Sequence, residues 1–426
     1  MLKTLSVEHF RSIGRVNLTL TPIMVLVGPN AVGKSNIVDA FRFLRDIATL
    51  GLDRSVALRG GIDNIRQRSP TRPYHITFDA TIVGDRMRGN FKYTLILSSK
   101  TQKYLIIAER LSWQDASSGG PPSRRHLPPD RAIRSFDITR DKHGSVNVDV
   151  GFSTDSDTLS LNLRTSNTDE SLLETRSLFA ELEGAIIATE ARSAHRQRPD
   201  LLSAIFFPIR RTFLVNEALR DMEAYNIFPN ILRNPQNPTN DERLNADASN
   251  FCSVLRAFSR DSRGRNAMEN IIDHMRVFLP TLINISIDLV GSFLTPIFHF
   301  DDGSRTYKFN TQQLSDGTLR LLGILTALYQ PRRPKIIALE EPEQTIHPGL
   351  LGIVADAIKH ASRSSSVIVT THSPNLIDYF SPDEIIPVHA TADGTTLGSI
   401  DGPQLEAIKK GLFSPGELLV IEGLGP

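Results

Sequence analysis

The chain has 426 residues, 40% hydrophobic and 22% charged, close to globular averages; this excludes wholesale disorder and sets an expectation of two or three packing units or one elaborated domain. Lys plus Arg at 48 against Asp plus Glu at 47 leaves a net charge of +1, so there is no global field of the kind that marks an avid nucleic-acid binder. The single cysteine, Cys252, excludes an internal disulfide and a zinc finger, and no apolar run reaches the roughly 20 residues that span a bilayer, so a soluble, cytoplasmic chain with no membrane partner is expected.

In chain order, Lys3 to His9 and Val16 to Leu20 alternate as strands, and Ile23 to Val27 is a continuous apolar run, the pattern of a strand buried on both faces. From Lys34 to Asp46, Ile37, Val38, Phe41 and Leu44 recur at helical spacing after a glycine-bearing turn. Ile76 to Ile82, Phe91 to Leu97 and Tyr104 to Leu111 read as antiparallel strands, with turns at Gly84 and Gly89-Asn90. Asp115 to Asp130 is rich in Gly, Ser and Pro and reads as a loop. Glu170 to Glu190, Asn250 to Phe258 and Arg265 to Phe278 read as short helices, and Pro199 and Pro208 are expected to interrupt any heptad pattern, which excludes a long coiled-coil arm. Asn226 to Asp241 reads as an irregular connection, and strands are expected again at Ile283 to Leu289, Leu294 to Phe300 and Arg305 to Phe309.

Gly28-Pro29-Asn30-Ala31-Val32-Gly33-Lys34-Ser35 matches the phosphate-loop pattern G-x-x-x-x-G-K-[ST] between a buried strand and a helix, the context that its mechanism requires. Glycines let backbone N–H groups approach phosphate oxygens, Lys34 offers a cation to the terminal phosphates, and Ser35 can ligate magnesium at the helix start. Leu314-Ser315-Asp316-Gly317-Thr318 opens a second helix, LRLLGILTALYQ; on its own Ser315 reads equally as an N-cap. Lys335 to Leu339 is a buried strand that ends in Glu340-Glu341-Pro342, where alternation aims one carboxylate at a metal and the other at a terminal phosphate. Val367 to Thr371 is another apolar strand, followed by His372.

Phosphate loop, LSDGT, strand plus Glu-Glu-Pro, then strand plus His, in that order, resembles the ABC-type AAA family ATPases of the RecF, SMC and OLD-like group. The resemblance covers Met1 to about Gly51 and Gln312 to Phe380. It implies an α/β fold, a P-loop ATPase head with a mixed sheet flanked by helices and an antiparallel β subdomain, plus a mixed α/β insertion. The expected division is 1–110 for the first half of the head, 111–309 for the insertion and 310–426 for the second half. It further implies a homodimer whose heads sandwich ATP and Mg2+, or a higher oligomer. Gly28 to Ser35 and Asn36 would hold the nucleotide, and Leu314, Ser315, Asp316 and Gly317 would close over it from the other subunit. Ser35 and Glu340 would serve the metal, Glu341 would polarise the attacking water, Lys34 would hold phosphate and His372 would sense the terminal phosphate. The metal-supporting aspartate usual in the family is a glutamate here, Glu340, whose extra methylene alters the metal contact and points to slow turnover.

The Glu-Glu-Pro-Glu run through Glu343, with His347-Pro348, resembles the defence-associated, single-head members of that group, and Gln67 stands as the candidate glutamine-loop residue. About fifty residues follow His372, too few for an appended nuclease of usual size, so control of a separate effector protein in anti-phage defence is expected. The alternative is a RecF-like DNA clamp, for which Arg124, Arg125, Arg131, Arg134 and Arg140, and Arg192, His195, Arg196 and Arg198, would supply basic surface. A transporter subunit shares the motifs but places its signature much closer to the phosphate loop than Leu314 is to Gly33.

Overall fold

The computed structural model describes residues 1–68, 74–84, 87–99, 104–115, 133–142, 146–152, 158–163 and 199–425. The loop expected at 115–130, the helix at 170–190, and Arg124, Arg125, Arg131, Arg192, His195, Arg196 and Arg198 lie outside the described residues, as does the side chain of Arg134. The strands in chain order are β1 (Leu2–Phe10), β2 (Ile13–Thr19), β3 (Ile23–Val27), β4 (His75–Gly84), β5 (Met87–Ser98), β6 (Leu105–Gln114), β7 (Ile133–Arg140), β8 (Val146–Phe152) and β9 (Thr158–Leu163). They continue with β10 (Met222–Tyr225), β11 (Leu282–Val290), β12 (Phe293–Asp301), β13 (Thr306–Asn310), β14 (Ile336–Glu340), β15 (Ser366–Thr371), β16 (Ile385–Thr391) and β17 (Gly394–Leu397).

The chain divides into two compact units, each assembled from separate stretches of sequence. The first takes Met1–Leu20, Asn36–Asp221 and Ala390–Thr396. Its sheet runs β17-β2-β1-β4-β5-β6-β7-β8-β9, antiparallel from β2 onward. Alternation along β4 buries Ile76, Phe78, Ala80 and Ile82 on one face, as period-two patterning requires. Phe10, Phe43 and Phe78 meet at centroid distances of 5.5–5.6 Å. Phe91, Trp113 and Phe136 form a second aromatic group, and Arg211 lies over the Trp113 ring.

Two expectations need correcting in this unit. Arg140 belongs to no basic surface: it is 1% exposed, in the interior with Glu109 and Tyr93. Tyr93 donates to Glu109 at 2.7 Å, and burial beside that carboxylate drives the phenol well above its ordinary value. The prolines at 199 and 208 do not break the chain into short pieces, because the helix Pro199–Arg220 starts on the first and contains the second. Proline is at home in a first turn, and at Pro208 the carbonyl side is tied down by the Thr212 hydroxyl at 3.0 Å.

The second unit takes Thr21–Ser35, Met222–His389 and Leu397–Pro426. Its central sheet, β10-β14-β15-β3-β16, is parallel throughout, and β3, β14 and β15 read as apolar runs because both faces are covered. The helices Asp316–Tyr329 and Leu351–Ala361 pack into the same core as these strands and as the helices Phe251–Phe258 and Ser262–Arg276. A separate antiparallel sheet, β11-β12-β13, adds Ile285, Leu294, Phe298 and Phe300 to that core. The irregular connection expected at 226–241 contains the helix Pro229–Arg233, and Gln236, 6% exposed, ties its turns together. Its amide donates to the Ile231 and Ala248 carbonyls and accepts from the Cys252 N–H. Cys252 is buried, and its thiol is pushed up to about 12 by that burial. The mixed α/β fold expected from the sequence is thus present: the first unit's sheet is antiparallel from β2 onward, and the second unit holds the parallel sheet together with the antiparallel β11-β12-β13.

Candidate functional site

The registers of the parallel sheet determine which side chains share an end. Glu340 pairs with Thr370, and Thr371 pairs with Val27, so the C-terminal ends of β14, β15 and β3 lie side by side. The residues following these strands therefore emerge together, at the edge where parallel α/β sheets carry ligand sites.

After β3 the loop Gly28–Gly33 turns back before the helix Lys34–Leu50 begins. Gly33 has φ 105° and Ala31 φ 67°, the left-handed conformations that let successive N–H groups line a concave turn. A Cβ on Gly28 would stand 2.6 Å from the Val388 carbonyl, so only glycine fits there. Lys34, 5% exposed, donates from Nζ to the carbonyls of Gly28 at 2.7 Å and Pro29 at 2.8 Å. Burial lowers its pKa, and the charges of Glu341 and Glu343 pull it back up. Asn30, Ala31 and Ser35 are exposed. A cleft of about 490 Å³ opens beside the loop, lined among others by Gly28, Asn30, His372, His389 and Leu424. Asn36, in the other unit, turns its amide to the Ser12 hydroxyl at 2.6 Å.

The segment after β14 is strained where the chemistry-bearing residues lie. Glu341 has φ 43° and Thr345 φ 63°, values that non-glycine residues adopt only when their surroundings impose them. The Glu341 N–H donates to the Thr370 carbonyl at 2.9 Å, and Arg320 donates to the Glu341 carbonyl at 2.9 Å. Arg320 is 2% exposed; burial lowers its pKa, and Glu343 and Glu341 raise it. Glu341 Oε1 is 3.4 Å from His372 Nδ1, and Gln344 donates to its other oxygen.

Glu343 is the residue that joins the two strand ends. Its Oε1 accepts from the Thr371 hydroxyl at 2.5 Å and from the His372 N–H at 3.3 Å, and lies 3.8 Å from His372 Nδ1. Its Oε2 is buried without a hydrogen-bond partner, and desolvation raises the carboxyl's pKa against the opposing effect of those donors. The sequence pattern assigns site roles to Glu340 and Glu341, marks Glu343 only as part of the Glu-Glu-Pro-Glu run, and gives none to Arg320 or Thr371. The available signals were a third glutamate in the same run and a single arginine inside an otherwise apolar helix.

At the second helix, Ser315 is the N-cap: it accepts from the Thr318 N–H at 3.2 Å and is exposed. Arg233 fixes the approach to this cap, donating to the Thr311 carbonyl at 2.9 Å and the Leu314 carbonyl at 3.1 Å and pairing with Asp316. Leu314 is 8% exposed and its side chain packs in the core. Gly317 sits against the strained turn, where an added Cβ would come within 2.6 Å of the Thr345 carbonyl. Gln67, in the first unit, is 6% exposed and donates to the Asp393 carbonyl at 2.7 Å, so its amide braces the turn between β16 and β17.

These groups suit a nucleotide triphosphate and its metal: a glycine turn in left-handed conformations, a lysine packed on that turn, a helix start bearing an exposed serine, and a glutamate at the end of β14, one strand beyond β15. Among the described residues, no group of three or more His, Cys, Asp or Glu side chains forms a metal cage by itself.

The family described as "AAA domain, putative AbiEii toxin, Type IV TA system" matches residues 23–378. Among solved structures, the chain is similar to an SMC head bound to the C-winged helix domain of ScpA, at 14% identity and TM-score 0.46, covering 96% of this chain and 99% of that one. It is similar also to the SMC head domain from Thermotoga maritima, at 12% identity and TM-score 0.43, covering 94% and 99%. No curated protein matches it. Among the described residues no helix is long and apolar enough to cross a membrane.

Proposed function

The chain belongs to that AAA-domain family, and on this premise we propose that it is an ABC-type ATPase that hydrolyses ATP at composite sites between two heads. The observation that carries the reading is the gathering of Lys34, Glu341, Glu343, Thr371 and His372 at the joined ends of β3, β14 and β15. ATP with Mg2+ supplies the phosphoryl group and part of the charge neutralisation. The loop N–H groups and Lys34 bind phosphate, while Ser35 and Glu340 support the metal. Glu341 orients the attacking water and accepts its proton; its strained backbone, held by Thr370 and Arg320, keeps that carboxylate in place. His372 stands beside it to read the terminal phosphate, and Glu343 holds the histidine through its backbone N–H. The exposed Ser315 cap would complete the partner's site, with Gly317 letting the helix start lie close against the Thr345 turn. Catalysis of this kind is positioning and charge neutralisation, which these residue types supply.

In the cytoplasm, this cycle would control a separate effector protein in anti-phage defence, a role supported by the family description and by the Glu-Glu-Pro-Glu run. The test is turnover and solution mass. Lys34→Ala and Glu341→Gln are expected to abolish ATP hydrolysis, and Glu341→Gln to accumulate as an ATP-dependent dimer by light scattering. Retained turnover in both variants would end the assignment.

A further inference from the structure

Among the described residues, the sheet β11-β12-β13 leaves one side of β11 without a neighbouring strand. Pro296 of β12 stands opposite Ile287, and proline has no N–H, so that pair cannot exchange two N–H···O bonds. By the alternation of an antiparallel ladder, the backbone groups of Ile285, Ile287 and Leu289 then point away from β12, toward the open side. Arg276 has already taken the carbonyls of Leu282 and Ile283, at 2.8 and 3.1 Å, so the free run is Asn284–Val290.

A groove of about 690 Å³ follows this edge, lined by Met268 and Ile272 of the neighbouring helix and by the strand itself from Ile283 to Ile287. Leu289 and Val290 are 59% and 61% exposed at its far end. A flat apolar edge of this kind is what soluble proteins normally cover. The charges on the rim are mixed: Arg256 and Arg265 stand against Glu269 and Asp273, and Asp273 is paired with Arg276. No field there selects a strongly acidic or basic peptide.

The run itself indicates its occupant. Read in opposite directions about Ile287, the central five residues I-S-I-D-L keep one alternating pattern: Ile285 meets Leu289, Ile287 meets itself and Ser286 meets Asp288, while the end residues set Asn284 against Val290. We propose that β11 pairs antiparallel with β11 of a second copy, centred on Ile287. The three outward-facing residues of each strand would exchange about six N–H···O bonds, joining two three-stranded sheets into one. One face of the new pair is an apolar row, the kind of cross-strand contact that stabilises a sheet, and the other sets each Ser286 hydroxyl opposite an Asp288 carboxylate. The joint uses neither the phosphate loop nor the Ser315 cap, so it forms without nucleotide and is separate from closure of the heads.

The test is made on the full chain without nucleotide. Light scattering across a concentration series is expected to reach twice the 47.3 kDa chain mass, and Leu289→Lys, at an exposed position that leaves the core untouched, to return it to the single-chain value. The second measurement fixes the register. Ile287→Cys, in a chain whose one native cysteine is buried, places two thiols on Cα atoms about 5.5 Å apart, within disulfide range. It should cross-link under oxidant about tenfold or more faster than Asn284→Cys, which the same pairing sets roughly 20 Å from its own copy. A monomeric mass at every concentration, or equal cross-linking at the two positions, overturns the proposal. So does a monomer that takes up an added extended peptide, which would assign the edge to a different protein.

Discussion

Gly317→Ala separates the position of the second helix from its stability. The new Cβ would lie 2.6 Å from the Thr345 carbonyl oxygen, where an ordinary carbon–oxygen contact is about 3.3–3.6 Å. The helix start or the Glu341–Thr345 turn must therefore shift by about 0.7 Å or more, and a backbone carbonyl in a left-handed turn has little freedom to yield. The overlap costs about 1–3 kcal/mol, and exchanging glycine for alanine in a helix returns up to about 1 kcal/mol. The net loss of about 0–3 kcal/mol lowers the melting temperature by no more than about 12 °C. Turnover should fall much further, about 100-fold, because a displacement approaching 1 Å near a reacting centre costs that much. Gly323→Ala in the same helix is the control: its Cβ would meet Ile227 Cγ2 at 2.8 Å and Leu232 Cδ1 at 2.9 Å, side-chain ends that can move. The assays are thermal unfolding and steady-state phosphate release on both variants. Equal losses of turnover would reduce the effect to general destabilisation, and turnover within about twofold of the parent for Gly317→Ala would refute the reasoning.

Arg233→Ala should free the segment before Ser315, because the guanidinium links the Thr311 and Leu314 carbonyls to Asp316; an increase in amide exchange confined to residues 311–318 is expected, and unchanged exchange there would count against the clamp. Glu343 carries a pH signature. Its folded pKa is raised above the ordinary 4.5, so the folded chain holds that proton more tightly than the unfolded chain does. The stability it contributes is complete below 4.5 and is lost as pH climbs through the raised folded value. Glu343→Gln does not titrate, so its melting temperature relative to the parent should rise between acidic and neutral pH; a constant difference would show that desolvation is not the governing influence. The same variant should slow phosphate release by loosening His372, with little change in KM.

The loop after β3, the glutamates that close β14 and the placement of His372 after β15 were legible in the chain because each is local: a short buried strand with an apolar centre, a stop, and a polar residue at or just after its end. The helix N-cap at Ser315 and the helices beginning near Lys34 and Phe251 were legible for the same reason, since capping and periodicity act within one or two turns. The tertiary structure decided what depends on neighbours distant in sequence. Pro208 reads as a helix breaker, yet Pro199–Arg220 continues through it. Arg140 reads as surface charge, but its place beside Glu109 and Tyr93 puts it inside. Gln67 finds its acceptor at Asp393, more than three hundred residues away. Glu343 looks like one more acidic residue until the register of β14 against β15 brings Thr371 and His372 to its oxygen. Amphipathic period and end caps are written residue by residue, whereas desolvation and partner geometry arise only when strands from opposite ends of the chain lie side by side.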